Sequence, residues 1–242
     1  MTRKISILTL TLSLIVSILG AGSANGATAA ETEQEYTFRP GHFTTLKVQD
    51  NVNVVYHCSA DTTSTVTYRG TEEFDDAFII TNTKGTLKIQ VNTEDVGKPD
   101  LPVLHIYSDA LDKVENYSDF HLEVQNPAAC KEFCVALMGN GTITIHGVST
   151  DKLLAKVTAG HGTIDLSGSA RTAQYRMVGT GTINAENVVA EEVTCKIFGG
   201  GSISCSPEKL LKTLGVGSTR VCYKGSPVVK HSGGGKLIHI EE

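Results

Sequence analysis

Gly139-Asn140-Gly141-Thr142-Ile143-Thr144 reads as a small-residue turn running into a strand, and the chain then writes that phrase again and again. The later copies are Gly160-His161-Gly162-Thr163-Ile164, Gly179-Thr180-Gly181-Thr182-Ile183, Gly199-Gly200-Gly201-Ser202-Ile203, Gly217-Ser218-Thr219-Arg220-Val221 and Gly233-Gly234-Gly235-Lys236-Leu237. Between the third residues of successive copies the steps are 21, 19, 20, 18 and 16 residues. Self-similarity at this period predicts a stack of coils, each too small to bury its own apolar side.

Aligning the copies sorts the residues into columns. The first after the turn is Thr142, Thr163, Thr182, Ser202, Arg220 and Lys236; the second is Ile143, Ile164, Ile183, Ile203, Val221 and Leu237. A third, more variable column holds Thr144, Asp165, Asn184, Ser204, Cys222 and Ile238. Strand pleating sends alternate residues to opposite faces, so the aliphatic column is expected in the core and the other two outside. The glycines supply sharp corners, either through φ > 0 or through the missing Cβ. A degenerate earlier coil is expected around Asn116-Tyr117-Ser118-Asp119-Phe120.

Working outward, the segment 36–110 reads as short strands, among them Phe43–Val48, Val52–Tyr56, Ser64–Tyr68 and Thr86–Val91, with a hairpin turn at Asn82–Gly85. The acidic stretch Thr71–Ala77 reads as a loop or one helical turn. The best helix start is Ser206-Pro207-Glu208 ahead of Lys209-Leu210-Leu211, with an N-cap serine and proline at the first position. The expected architecture is therefore all-β: a single-stranded β-solenoid, or β-helix, with its glycine-rich turns stacked along one edge. Residues 27–242 would form one domain, with N-terminal strands over 36–110 and repeated coils over 111–242.

The first residues read as a secretory signal. Arg3 and Lys4 supply positive charge, Ile5–Leu19 an apolar run too short to span a bilayer, and Gly20–Ala30 a small-residue tail with cleavage expected within 24–30, giving a signal peptide over 1–26. No cysteine follows the apolar run, which argues against a lipoprotein anchor, and no later segment is apolar enough to span a membrane. Loss of Arg3 and Lys4 leaves 19 basic against 26 acidic side chains, a formal charge of −7. No basic block stands out along the chain, which argues against a nucleic-acid partner.

Export permits disulfides, and the six cysteines are even in number. Cys58, Cys195, Cys205 and Cys222 sit in strand-like apolar patterns and read as buried small residues, while Cys130 and Cys134 form the most plausible local pair. Zinc would need a second Cys/His pair at suitable spacing, which the chain lacks.

The Gly-x-Gly elements do not make a nucleotide loop, since each is followed by a strand and lacks the third glycine and helix of a dinucleotide fingerprint. Asp165 is the carboxylate of most interest, because Asn184 should stack beside it, with Thr144 and Ser204 along the same column; a solvated polar face is the plainer reading of these residues. Asp75 with Asp76, or Asp95 with Asp100, lacks the alternating oxygen spacing of a calcium loop. The histidines are scattered, with His146 and His161 expected to be exposed. No cofactor, metal or catalytic residue is assigned.

The glycine-punctuated coils, together with Tyr223, Gly225 and Pro227 in a Tyr-x-Gly-x-Pro stretch, resemble the putative auto-transporter adhesin, head GIN domain family, whose members are exported proteins found mainly in Bacteroidetes. The resemblance spans residues 40–238. It departs at Thr219, which replaces a turn glycine, and where Asn, His, Thr or Gly stands for the family's usual Ser. It implies a solenoid akin to pectin-lyase-like and adhesin-head folds, a trimer, and adhesion to a protein or glycan at a cell surface or envelope. Two other functions stay open on the same architecture: a carbohydrate-active lyase or hydrolase, and a structural component of the cell envelope. Carboxylates clustered beside a basic residue in one groove would favour the enzyme; a broad flat or apolar exposed face would favour association.

Overall fold

The computed structural model describes residues 33–60, 64–98 and 100–241, so the expected leader lies outside the described residues. Seventeen strands follow one another: β1 (Gln34–Phe38), β2 (Thr45–Val48), β3 (Val54–Cys58), β4 (Thr65–Gly70), β5 (Phe78–Thr83), β6 (Thr86–Val91), β7 (Leu104–Ser108), β8 (Lys113–Asn116), β9 (His121–Gln125), β10 (Cys130–Met138), β11 (Thr142–Ala159), β12 (Thr163–Gly179), β13 (Thr182–Gly199), β14 (Ser202–Val216), β15 (Arg220–Tyr223), β16 (Val228–Gly233) and β17 (Lys236–His239). A single 3-10 turn, Glu72–Phe74, interrupts them within the acidic stretch. The protein is a β-solenoid, and none of its described helices is long and apolar enough to cross a membrane.

Two long faces back onto one core. The front face stacks β1, β4, β7, β3, β9, the first parts of β11 to β14, β15 and β17. The back face stacks β5, β6, β2, β8, β10, the last parts of β11 to β14, and β16. Strands β11 to β14 are long because each runs along both faces, bending where the register shifts between Ile145 and Val148, Asp165 and Ser167, and Ala185 and Val189. Pairing is parallel throughout the coils and antiparallel only at the N-terminal end, where β4, itself edged by β1, covers β7 and β5 covers β6. The β5–β6 connection is a two-residue turn at Lys84 and Gly85, with φ of 52° and 76°, the left-handed pair that matches the twist of a hairpin.

The register reproduces the three columns residue for residue: Thr142–Thr163–Thr182–Ser202, Ile143–Ile164–Ile183–Ile203–Val221–Leu237, and Thr144–Asp165–Asn184–Ser204–Cys222–Ile238. The isoleucines are wholly buried and the hydroxyl column half-buried. From the opposite face Leu153, Ala155 and Val157, then Ala173, Tyr175 and Met177, then Val193, Cys195 and Ile197 point inward to meet them. Each buried isoleucine contributes about 1.5–3 kcal/mol, and only the neighbouring coils make that burial available.

Two expectations are corrected. Ser206–Leu211 forms no helix: it lies within β14, with Ser206 and Pro207 in register with Val189 and Ala190. A proline's φ suits extended backbone as well as a first helical turn, and the alternation of inward Leu211 and Thr213 extends the coil, so tertiary pairing overrides the local cap signal. Cys130 and Cys134 are both free and sit four residues apart on β10. Extended backbone separates them by roughly 13 Å, well beyond the roughly 7 Å limit between bridged Cα atoms. Of the four cysteines expected in the interior, Cys195 and Cys205 are buried, Cys222 is half-buried and Cys58 is exposed.

Candidate functional site

The variable column opens into a groove of about 380 Å³ on the front face, lined by Thr144, His146, Asp165, Ser167, Asn184, Glu186, Asn187 and Ser204. Its cause is local. Where the strands leave the front face the register slips, and in β13 the residues Glu186, Asn187 and Val188 have no counterpart on β14; Val188 turns into the core, while Glu186 and Asn187 swing out and form a wall. Gly147, at φ 73°, makes the corresponding corner on β11, two coils earlier. Inside this wall the parallel register places Thr144, Asp165, Asn184 and Ser204 side by side at roughly 5 Å intervals.

The side chains are held by one another. Asn184 Nδ2 donates to Asp165 Oδ1 at 2.7 Å, and His121 Nε2 lies 2.9 Å from Thr144 Oγ1. Ser206 Oγ donates to the Glu186 carbonyl at 2.6 Å, while the Glu186 carboxylate faces Lys224 Nζ at 3.7 Å. Asp165 Oδ2 and Asn184 Oδ1 stay directed to solvent without a protein hydrogen-bond partner among the described residues. The groove therefore presents hydroxyls, an amide and carboxylates in a fixed row, and two carboxylates, Asp165 and Glu186, line it, the second paired with Lys224.

The column continues beyond the expected residues. Strands β3, β7 and β9 extend the front face, so that Glu123, Val55 and His105 follow Thr144 in the same line. Beside them His57 stacks on Tyr107 at 4.7 Å between ring centres, and His57 Nε2 lies 3.1 Å from His105 Nδ1. Glu123 accepts from Gln125 at 3.1 Å and faces His146 Nε2 at 3.3 Å. Burial, and then the neighbouring His57, hold His105 below the usual histidine value. Sequence periodicity misses these residues because space reorders the chain: β3 lies between β7 and β9. The only sequence sign was alternation within each strand.

The remaining candidates disperse. His146 and His161 are exposed. The Asp95 carboxylate pairs with Lys98 at 2.6 Å, while Asp75, Asp76 and Asp100 lie exposed in the loops. Burial pushes the thiols of Cys130, Cys134 and Cys222 up, away from the thiolate form a nucleophile needs. The turn glycines Gly139, Gly141, Gly160, Gly162, Gly179, Gly181, Gly199, Gly201, Gly217, Gly233 and Gly235 occupy or adjoin the corners between coils, where the backbone of each passes that of the previous coil, as in Gly200 N to Gly179 O at 2.9 Å.

The family model described as putative auto-transporter adhesin, head GIN domain, matches residues 42–227. Among solved structures, a putative adhesin from Bacteroides fragilis superposes with a TM-score of 0.78 at 20% identity, covering 89% of this chain and 100% of that one. A putative lipid binding protein from Parabacteroides distasonis gives 0.69 at 18%, covering 86% and 97%, and a putative adhesin from Parabacteroides merdae 0.66 at 21%, covering 86% and 96%. No curated protein matches the chain.

Proposed function

The chain belongs to the putative auto-transporter adhesin, head GIN domain family, and from that premise we propose that it is an exported, non-enzymatic adhesion protein whose front groove holds a neutral glycan at a cell surface or envelope. The observation that carries this reading is the Asn184–Asp165 hydrogen bond of 2.7 Å set between Thr144 and Ser204. A sugar hydroxyl both donates and accepts. The solvent-facing Asp165 Oδ2 accepts, and the serine and threonine hydroxyls do either, so a row of these groups suits successive hydroxyls of a saccharide. Because the carboxylate and amide hold each other, little side-chain freedom is lost on binding.

The test is a glycan array probed with the mature protein, followed by Asp165→Ala and Asn184→Ala. Both side chains are half-buried and point outward, so the fold should survive, as circular dichroism would check. Loss of binding by about tenfold or more in each variant is expected, one charged hydrogen bond being worth about 1.5–3 kcal/mol. Undiminished binding by both variants would remove the groove from the account. A second reading rests on Asp165 and Glu186 lining one groove, with Lys224 paired to Glu186: cleavage of a polysaccharide by paired carboxylates. Release of oligosaccharides, lost in Glu186→Gln, would replace adhesion with catalysis.

A further inference from the structure

The back face carries a line of positive charge that the linear sequence conceals. Lys156, Arg176 and Lys196 lie in one register column, each on a successive coil, hence at intervals of roughly 5 Å. Lys212 and Lys230 prolong the line in the adjacent column. A groove of about 460 Å³ lies between Lys196, Lys212 and Lys230, with Thr213 and His231 on its floor and rim. Three other cations on this face are matched: Lys113 meets Glu115 at 2.7 Å, Lys47 meets the same carboxylate at 4.0 Å, and Lys152 meets Glu132 at 3.1 Å. Among the described residues, none of the five cations in the line forms an ion pair. Like charges stacked on one face repel, and in a chain of net charge −5 the line is not a consequence of overall composition.

Beside this stripe, two residues further along each strand, runs an apolar ridge. Val178, Phe198 and Val216 are in register and 51%, 44% and 52% exposed, with Met138 at the far end of the ridge. A soluble polyanion would neutralise the stripe and leave the ridge in water. An anionic bilayer covers both at once, since lipid headgroups meet the lysines while the aliphatic and aromatic side chains enter the interface.

We propose that the back face is a peripheral membrane-docking surface for anionic lipid, formed by Lys156, Arg176, Lys196, Lys212 and Lys230 with the ridge of Val178, Phe198 and Val216. It is separate from the front groove, which such docking leaves facing away from the bilayer and free for a partner.

The test uses the chain from residue 27. All described strands and their one apolar core begin after that point, and the apolar run Ile5–Leu19, which would bind lipid by itself, is gone. Flotation with phosphatidylcholine vesicles containing about 30 mol % phosphatidylglycerol should carry the protein, and pure phosphatidylcholine should not. At about 0.5 M NaCl, where screening acts within a few ångströms, binding should collapse. Replacing Lys156, Arg176 and Lys196 together with Gln should weaken it on the order of 100-fold. Phe198→Ser with Val216→Ser should weaken it without changing the salt dependence. Three results would overturn the proposal: equal binding to neutral vesicles, a charge variant that floats like the parent, or no vesicle binding alongside charge-dependent capture by soluble polygalacturonate. A fourth is a dimer in light scattering that Phe198→Ser dissociates while flotation is unchanged, which would make the ridge a subunit contact. The salt and lipid arms use the unmodified chain, so they decide the matter even if a variant fails to fold.

Discussion

Gly141 and Gly199 occupy the same turn phrase for different reasons. Gly199 has φ 135°, a region that side chains rarely enter, besides the Gly179 carbonyl close by, whereas Gly141 has ordinary φ and is constrained by space alone: an added Cβ would meet the carbonyl oxygens of Phe120 and Ser118, the latter at 2.6 Å. That division explains Thr219. It holds the second-glycine position with φ outside the left-handed region, and its Oγ1 donates to the Gly234 carbonyl at 3.3 Å, so a hydrogen bond replaces the empty space. Gly141→Ala is expected to cost about 2–3 kcal/mol, because backbone must move. Gly234→Ala, with nothing within 4 Å of its added Cβ and no left-handed φ, should stay within about 0.5 kcal/mol. Urea midpoints measure both, and equal losses would show that chain entropy, not contact, sets the cost.

Within the front face, β3 and β7 bring His57 and His105 to 3.1 Å, and their pairing couples that sheet to pH. Burial first, and the charge on His57 second, hold His105 below its ordinary 6.5. A histidine whose folded value is depressed binds fewer protons folded than unfolded as pH falls. Its contribution is therefore intact above about pH 6.5 and lost progressively below it. Urea midpoints should fall between about pH 7 and pH 5, and His105→Gln should flatten that slope. An unchanged slope would move the effect to another group. The same two strands show why local patterns underdetermine the face: alternation in Val54–Cys58 and Leu104–Ser108 tells which side chains point out, but not that β3 separates β7 from β9.

Over the whole solenoid, stability is borrowed from neighbours, so the ends differ. The N-terminal coil is covered by the antiparallel β4 and β5, whereas β16 and β17 are mostly exposed and carry Lys230, His231, Lys236 and His239. Charge along an open edge resists pairing with another chain. Hydrogen exchange should follow the same gradient, with the amides of Val157, Met177 and Ile197 outlasting those of Lys230 and Leu237 by about 100-fold or more. Uniform protection would mean that the coils unfold as one unit, rather than fraying from the C-terminal end.

The architecture was readable without coordinates because a solenoid converts sequence period into spatial neighbourhood. Once the glycine turns are aligned, Ile143, Ile164, Ile183 and Ile203 must stack, and Thr144, Asp165, Asn184 and Ser204 must form a row. The same rule placed Lys156, Arg176 and Lys196 in line, yet a charge count along the chain shows no block, because residues about 20 apart are distant in every local window. Tertiary structure alone decided the rest. The order of β7, β3 and β9, the strand at Ser206–Leu211, the distance between Cys130 and Cys134, and the wall made by Glu186 and Asn187 depend on which backbone groups find partners across coils. Those pairings are settled by the packed stack as a whole, whereas pleat alternation and glycine geometry are properties each residue carries with it.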